Sequence, residues 1–193
     1  MQILKDEIRE AILNTALNEF YEKGFLDASI KKIAKASGIC VGNLYRYFKN
    51  KEELFESIVD PVFNSLLNMI RSDNEKHCDI HQFIEESGLE IANLINKKRK
   101  EILIILDGSK GTKYEDAKKR YLDMMTTHIE GHIVEKIKIT NKSINLFLAR
   151  LFATSFIEGY IEIIRNFGDT ARIKEIIFDF MKFTFNGWNS LFE

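Results

Sequence analysis

The segment from Ala28 to Lys51 carries the side chains best suited to bind a polyanion. It contains six Lys or Arg residues and no Asp or Glu, whereas the whole chain has a net charge of −1. Tyr45 and Tyr47 stand among these cations and add phenolic hydrogen-bond donors. Cations and phenols without a competing carboxylate are groups that contact phosphate oxygens. The segment therefore predicts a surface that binds the phosphate backbone of a nucleic acid.

The four histidines form two pairs with a spacing of four residues, His77 with His81 and His128 with His132. On a helix this spacing places both rings on one face, where a pair can hold zinc or another divalent metal. No further ligand has a fixed relation to either pair, so surface or pocket-lining imidazole is the simpler interpretation. We therefore predict no metal site and no cofactor. No catalytic arrangement of Ser, His, Cys or paired carboxylates stands out in the order of the chain.

Three helices are expected to position the basic side chains. A first helix over residues 3–23, ended by Gly24, would supply the scaffold. Ser29 is a good N-cap for a second, short helix, which Gly38 ends because glycine can take a positive φ. A third helix is predicted from Cys40 to Phe48. Short helix, glycine-containing turn and short helix form the helix-turn-helix layout, in which the last helix enters the major groove.

From Ile12 to Leu54 the chain resembles the DNA-binding domain of the TetR family of transcriptional regulators. The resemblance implies an all-α fold: an N-terminal three-helix helix-turn-helix domain joined by a long helix to a C-terminal helical ligand-binding and dimerisation domain. We expect the first domain over residues 1–52, extending into the connecting helix to about 65, and the second over 53–193. The matching residues are Ile12-Leu13, Ala16, Phe20, Gly24, Ser29-Ile30, Ile33-Ala34, Ser37-Gly38-Ile39, Gly42, Leu44-Tyr45, Tyr47-Phe48 and Lys51-Glu52-Glu53-Leu54.

The expected DNA contacts fall into base-reading and phosphate-binding groups. Val41, Gly42 and Asn43 begin the recognition helix and would face the bases, with Gly42 allowing close approach. In the family, the positions matching Tyr45, Tyr47 and Lys51 commonly touch the DNA backbone or nearby bases. The tyrosines could equally pack in part against the core. The full predicted set is Ser29, Lys31, Val41, Gly42, Asn43, Tyr45, Arg46, Tyr47, Lys49 and Lys51.

Cys40 departs from the family pattern, which often has Ser or Thr as the cap of the recognition helix. Sulfur is a weak acceptor, so a poorer cap is expected here. A thiol at a helix N-terminus among cations could also react with oxidants. A redox switch and a tolerated small residue therefore both remain open for Cys40.

Composition favours a helical protein with ample core material. The 193 residues include 15 Phe, while one Pro and 10 Gly disfavour a turn-rich β architecture. No apolar run reaches the roughly 18 residues of a membrane span, and MQILKDEIRE is too charged for a signal peptide. Two distant cysteines make no disulfide framework, so we expect a cytoplasmic protein without membrane contact. Residues 1–51 have a net charge of +3 and the rest −4, which suits DNA contact at one end.

The remaining chain is expected to form the connecting helix and the helical body. Asn50 is the predicted N-cap of the connecting helix, with Glu53 at the reciprocal capping-box position. Pro61 lies inside that helix and predicts a kink. Residues 97–100 predict a solvated basic turn and 102–106 a buried apolar stretch, whereas the loop at 107–112 lacks the spacing of a phosphate-binding loop. Further helices are predicted over 81–96, 114–139, 143–166 and 170–189.

The resemblance implies two partners for the helical body. The last two helices, at about 143–189, would pair two copies into a homodimer on a double-stranded operator. A small, partly apolar effector would bind within the body, although core packing is an open alternative for each candidate lining residue. Those candidates are Tyr121, Met124, Met125, His128, Phe152 and Phe156. An adaptor or nucleoid protein without an inducer, and a helical metal hydrolase that uses the histidine pairs, are the alternative functions.

Overall fold

The computed structural model describes residues 2–72, 80–140 and 143–192, and the regular structure in these ranges is entirely helical. The all-α prediction is therefore confirmed. The pair His77/His81 lies largely outside the described residues. The helices are α1 (Gln2–Asp27), α2 (Ile30–Ala36), α3 (Val41–Leu44), α4 (Lys51–Ser72), α5 (Ile80–Asp107), α6 (Ala117–Thr140), α7 (Phe147–Asn166) and α8 (Thr170–Ser190).

The described chain divides into two compact units that are not continuous in sequence. The first contains residues up to 66 together with 100–118, and the second contains residues 67–99 and those from 119 onward. The linear boundary at 52/53 stays a prediction. It did not foresee that the end of α5 and the following loop belong to the N-terminal unit.

The core of the N-terminal unit is built from the apolar stripes of α1 to α4. Ile12, Phe20, Ile33 and Leu44 are all fully buried. Phe20 meets Phe55 of α4 edge to face, with ring centroids 5.0 Å apart. The apolar face of α1 therefore packs against the two short helices, as the periodicity of its apolar residues predicts.

Two glycines bring the end of α1 against the end of α5. Gly24 interrupts the helical backbone of α1 with φ 68° and ψ 176°. The Phe25 N–H then donates to the Gly108 carbonyl over 2.7 Å. A Cβ on Gly108 would stand 3.2 Å from the Gly24 Cα, so the two backbones touch where neither residue has a side chain. This close approach explains why residues after 100 join the N-terminal unit.

The α4 helix begins with the predicted cap and continues through its proline. The Glu53 N–H donates to Asn50 Oδ1 over 2.7 Å, which confirms the N-cap. Glu53 Oε2 accepts from the Lys49 N–H over 2.6 Å, one residue earlier than a capping box requires. From Lys51 to Ser72 the helix is continuous through Pro61. The kink expected at Pro61 stays a prediction.

The basic run at 97–100 lies at a kink where two helical segments of α5 meet, which agrees with the predicted turn between helices. Lys98 has a non-helical backbone, with φ −129° and ψ 22°. In the C-terminal unit, Arg99 Nε donates to the Ile164 carbonyl at the end of α7 over 2.8 Å. In the N-terminal unit, Lys100 Nζ donates to Asn18 Oδ1 over 2.7 Å. These contacts give the run a structural role, because a guanidinium suits the free carbonyls of a helix C-terminus.

The C-terminal unit contains an apolar cluster between α6 and α7 and an aromatic cluster between α7 and α8. Ile129 and Ile133 of α6 pack with Ala149 and Ala153 of α7. On the other side of α7 the ring of Phe180 lies over Gly159, where a Cβ would be too close to Phe180 to fit. The small residues of α7 thus let the larger side chains of its neighbours approach the helix closely.

Candidate nucleic-acid interface

The N-terminus of α2 has the geometry that Ser29 predicts. The backbone of Ser29 is extended, and its Oγ accepts from the Lys32 N–H over 3.4 Å. The Ser29 N–H donates to Glu19 Oε1 over 3.0 Å, which ties the cap to α1. Lys31 and Lys32 are exposed in this first turn. Their charges oppose the helix dipole, and a bound phosphate would compensate for that arrangement.

The turn between α2 and α3 depends on Gly38, which has φ 72°. The Ile39 N–H returns to the Ala34 carbonyl over 3.0 Å and closes the end of α2. The helical hydrogen bonds of α3 continue past Leu44, since the Phe48 N–H donates to the Leu44 carbonyl over 3.2 Å. The α-helix spans only Val41–Leu44, shorter than the helix predicted from Cys40 to Phe48, and the chain continues to Phe48 through hydrogen-bonded turns. Leu44 and Phe48 are buried beneath this region.

Gly42 lies exposed on α3 with open space beside it. A Cβ added there would meet no described atom within 4 Å, leaving out its chain neighbours and the helix's own backbone. Gly42 also does not have the positive φ of Gly38. Neither packing nor backbone geometry within the described chain therefore requires a glycine at this position. An external surface that approaches the helix backbone closely would require one.

Most of the predicted DNA-contacting side chains surround α3 at the surface. Tyr45 is 46% exposed, and Arg46 and Lys49 are also exposed. Tyr47 is only partly exposed, which agrees with partial packing against the core. Val41 and Asn43 are likewise partly exposed at the start of the helix. These side chains therefore lie at the surface on α3 and the turn that follows it, and their contact with DNA stays a prediction.

Lys51 differs from the other cations because the protein itself engages its ammonium group. Its Nζ donates to the Leu26 carbonyl over 3.1 Å and lies 4.9 Å from the centroid of the Phe25 ring. Burial lowers the pKa of Lys51, and the nearby carboxylates of Glu52, Asp27 and Glu19 oppose that effect. Lys51 stabilises the end of α1, so its predicted DNA contact would come in addition to a structural role.

Cys40 precedes α3 as an exposed thiol with an extended backbone. Within the described chain its side chain makes no capping hydrogen bond, as expected for sulfur. The redox hypothesis for Cys40 stays a hypothesis, since capping geometry does not bear on the reactivity of the thiol.

The N-terminal part of the sequence matches a known family model. Residues 12–58 match the model described as "Bacterial regulatory proteins, tetR family". Over these residues the chain is therefore similar to the DNA-binding segment of TetR-family regulators. The matched range contains α2, α3 and every residue of the predicted DNA-contacting set.

Curated relatives agree with the TetR assignment over parts of their length. The fatty acid metabolism regulator protein of Bacillus subtilis is 27% identical over 122 residues, which are 50% of this chain and 63% of the relative. The HTH-type transcriptional regulator UidR of Escherichia coli is 42% identical over 59 residues, 31% of this chain and 30% of the relative. The chain thus spans less than two thirds of the curated relatives it matches.

Solved structures show that the TetR fold extends over nearly the whole chain. A transcriptional regulator from Aquifex aeolicus superposes with a TM-score of 0.66 at 19% identity, covering 91% of this chain and 98% of that one. NalD of Pseudomonas aeruginosa, the secondary repressor of the MexAB-OprM multidrug efflux pump, gives a TM-score of 0.61 at 21% identity, with 93% and 96% coverage. An N-terminal helix-turn-helix and a C-terminal helical domain are common to this fold.

The six candidate effector residues all lie in the C-terminal unit, on α6 and α7. Phe152 and Phe156 stack with centroids 5.9 Å apart, and Phe152 lies 5.0 Å from Trp188. Met125 packs against the apolar cluster between α6 and α7. Tyr121, Met124 and His128 are partly exposed on α6. Two surface clefts in the N-terminal unit are lined by none of the six residues, and the effector role of the six stays a prediction.

Tyr160 was not singled out by the sequence, although it lies four residues after Phe156 on the same face of α7. Its ring meets Phe156 edge to face at 4.6 Å and Phe180 at 5.6 Å. Its hydroxyl is buried and has no hydrogen-bond partner among the described residues. Burial, with a smaller contribution from Tyr121, raises the pKa of Tyr160 well above its ordinary value, so the hydroxyl remains a donor at neutral pH. The i, i+4 spacing from Phe156 was the available signal.

The described part of the chain contains no group of three or more His, Cys, Asp or Glu side chains arranged to hold a metal ion. Its helices also include none that is long and apolar enough to cross a membrane.

Proposed function

We propose that this protein is a transcriptional regulator that binds double-stranded operator DNA through α2 and α3. The observation that carries the proposal is the basic face around α3, with exposed Tyr45 and Arg46 beside the open position at Gly42. Its N-terminal segment matches the TetR-family model, and the partly matching relative UidR is named a transcriptional regulator. DNA binding of this kind takes place in the cytoplasm, and the function requires no enzymatic activity.

The regulator would act as a homodimer that contacts two half-sites of a near-palindromic operator. Apolar side chains are exposed on both C-terminal helices: Phe147 by 63%, Leu151 by 51% and Phe183 by 78%. Phe147 and Leu151 are four residues apart and share one face of α7. Exposed apolar groups of this size favour association with a second apolar surface. A two-fold pairing through α7 and α8 would bury them and present two copies of α3 to DNA.

Repression that a small effector relieves is the mode of regulation we favour. NalD, whose structure is similar, is named a repressor, and the Bacillus subtilis relative is named a fatty acid metabolism regulator. Aromatic rings pack around Tyr160, and its buried hydroxyl is a donor without a partner among the described residues. These groups suit a small, largely apolar molecule with a hydrogen-bond acceptor. Such a molecule can weaken DNA binding only by its difference in affinity between the DNA-binding state of the protein and the state that does not bind DNA.

Fluorescence anisotropy with DNA from around the protein's own gene tests the proposal. The full-length protein should bind this DNA more tightly than random DNA of equal length, with a steep salt dependence. Arg46→Ala should weaken binding about tenfold and reduce the salt slope by about one. Lys138→Ala, which removes an exposed cation from α6, is the matched control and should bind like the parent.

Equal affinity for both DNAs would instead favour an adaptor or nucleoid protein. Lys51→Ala is unsuitable as the diagnostic variant, because it also removes the hydrogen bond to Leu26. Loss of DNA binding in that variant would not separate an unstable domain from a missing phosphate contact.

A further inference from the structure

His128 and His132 bring two ring nitrogens together on α6. Their Nε2 atoms are 3.2 Å apart, and the two rings lie nearly perpendicular with centroids 4.6 Å apart. Both residues are partly exposed, so the pair is accessible to small ions from solution. A spacing of four residues shows only that the two rings share a helix face. In this structure the Nε2 atoms of both rings also point to one place.

The separation of the two nitrogens fits a chelate. Two imidazole nitrogens bound to one tetrahedral zinc at 2.0–2.1 Å are about 3.3 Å apart. The observed 3.2 Å is close to that distance, and it is also a hydrogen-bonding distance. The χ2 torsion of each histidine is soft, so ring rotation can redirect both lone pairs without a change in the helix backbone.

We infer that His128 and His132 form a two-imidazole site for a borderline transition-metal ion such as Zn²⁺, Ni²⁺ or Cu²⁺. Imidazole nitrogen suits these ions, whereas Mg²⁺ and Ca²⁺ prefer oxygen ligands. Met124, four residues before His128, shares this face of α6 and offers a thioether to a softer ion. The described residues supply no cluster of three classical ligands, so the site keeps open coordination positions.

Metal binding would replace the hydrogen bond between the two rings. In the unbound pair one neutral imidazole donates its Nε2–H to the other Nε2 lone pair. When the metal enters, the donor ring takes the Nδ1–H tautomer, so both Nε2 lone pairs reach the ion and no proton is released overall. Only the neutral imidazole binds a metal ion, so protons compete with the metal for both rings.

Calorimetric titration of the chelator-treated full-length protein with Zn²⁺ at pH 7.5 tests this site. We expect one ion per chain at this site, and at least tenfold weaker binding in both His128→Ala and His132→Ala. Mg²⁺ should give no comparable signal. His81→Ala removes an imidazole from the other histidine pair and is the matched control, in which the affinity should stay at the parent value. Circular dichroism of each variant would show that the helices are retained.

The number of bound nitrogens gives a second readout that does not depend on affinity. Cu²⁺ electron paramagnetic resonance should show coupling to two histidine nitrogens in the parent and to one in His132→Ala. Unchanged zinc affinity in both α6 variants would overturn the inference, as would a loss that occurs only in His81→Ala. None of these measurements uses DNA, so the metal site and the regulatory function can fail independently.

Discussion

At the scale of single residues, Gly42 separates contact with DNA from stability of the fold. Gly42→Ala should keep or raise the free energy of unfolding, by up to about 1 kcal/mol, because alanine is the better helix former. The new Cβ meets open space within the protein. It would, however, stand between α3 and any surface that approaches the backbone closely. We expect at least tenfold weaker operator binding by anisotropy, with an unchanged or higher melting temperature.

Gly38→Ala is the informative contrast to that variant. Its Cβ also meets no described atom within 4 Å, but the backbone has φ 72°. A side chain in the left-handed region is strained, so this variant should lose about 1 kcal/mol of stability. Parent-like DNA binding by Gly42→Ala would contradict a role for Gly42 in close approach.

Tyr160 offers a second test at this scale. Tyr160→Phe removes a buried hydroxyl that has no partner among the described residues. Urea unfolding of the unliganded protein should therefore show unchanged or slightly higher stability, since the hydroxyl gains nothing from its environment. Ser109→Ala should instead cost about 1–3 kcal/mol, because its buried Oγ donates toward two carbonyls. A comparable loss in both variants would show that Tyr160 has a structural hydrogen bond.

At the scale of elements, the contact between the ends of α1 and α5 depends on two glycines. Gly108→Ala would place a Cβ 3.2 Å from both the Gly24 Cα and the Ile104 carbonyl oxygen. Backbone atoms cannot move aside as a flexible side chain can, so we expect a loss of about 1–3 kcal/mol in chemical denaturation. Gly187→Ala in α8, where a Cβ meets nothing within 4 Å, should be neutral or stabilising. A neutral Gly108→Ala would contradict this explanation of the α1–α5 contact.

At the scale of the whole molecule, the exposed apolar faces of α7 and α8 bear on the oligomeric state. Phe183→Glu places a charge at a side chain that is 78% exposed in the single chain, so the fold should tolerate it. In a dimer the same charge would be desolvated at an apolar interface. Sedimentation analysis should show a dimer for the parent and a shift toward monomer for the variant. Leu89→Glu, at a 43% exposed position of α5, should remain dimeric.

The proposed dimer would also link the oligomeric state to the affinity for DNA. If Phe183→Glu is monomeric, its operator affinity should fall by more than tenfold, because a single α3 reaches one half-site only. Monomeric behaviour of the parent would contradict the proposed pairing of α7 and α8.

The N-terminal element was predictable because its signals are local. The Ser29 cap, the positive φ of Gly38 and the Asn50 cap depend on residues within four positions of each other, and all three are present in the structure. The predicted DNA-contacting set rests on the same local motif and stays a prediction. The Glu53 carboxylate accepts from the Lys49 N–H and not from the predicted Asn50 N–H, since a flexible carboxylate can reach either of two neighbouring N–H groups.

Capping, periodicity and composition act over a few residues, so the amino-acid sequence is enough to predict the helical class, the short N-terminal helices and the basic segment at 28–51. The contacts between distant segments become known only from the three-dimensional fold. These include the backbone contact of Gly24 with Gly108, the Lys51 bond to Leu26 and the unpartnered hydroxyl of Tyr160. It also set the Nε2 separation of the α6 histidine pair. Such features depend on how helices and side chains meet in space, which no short stretch of sequence specifies.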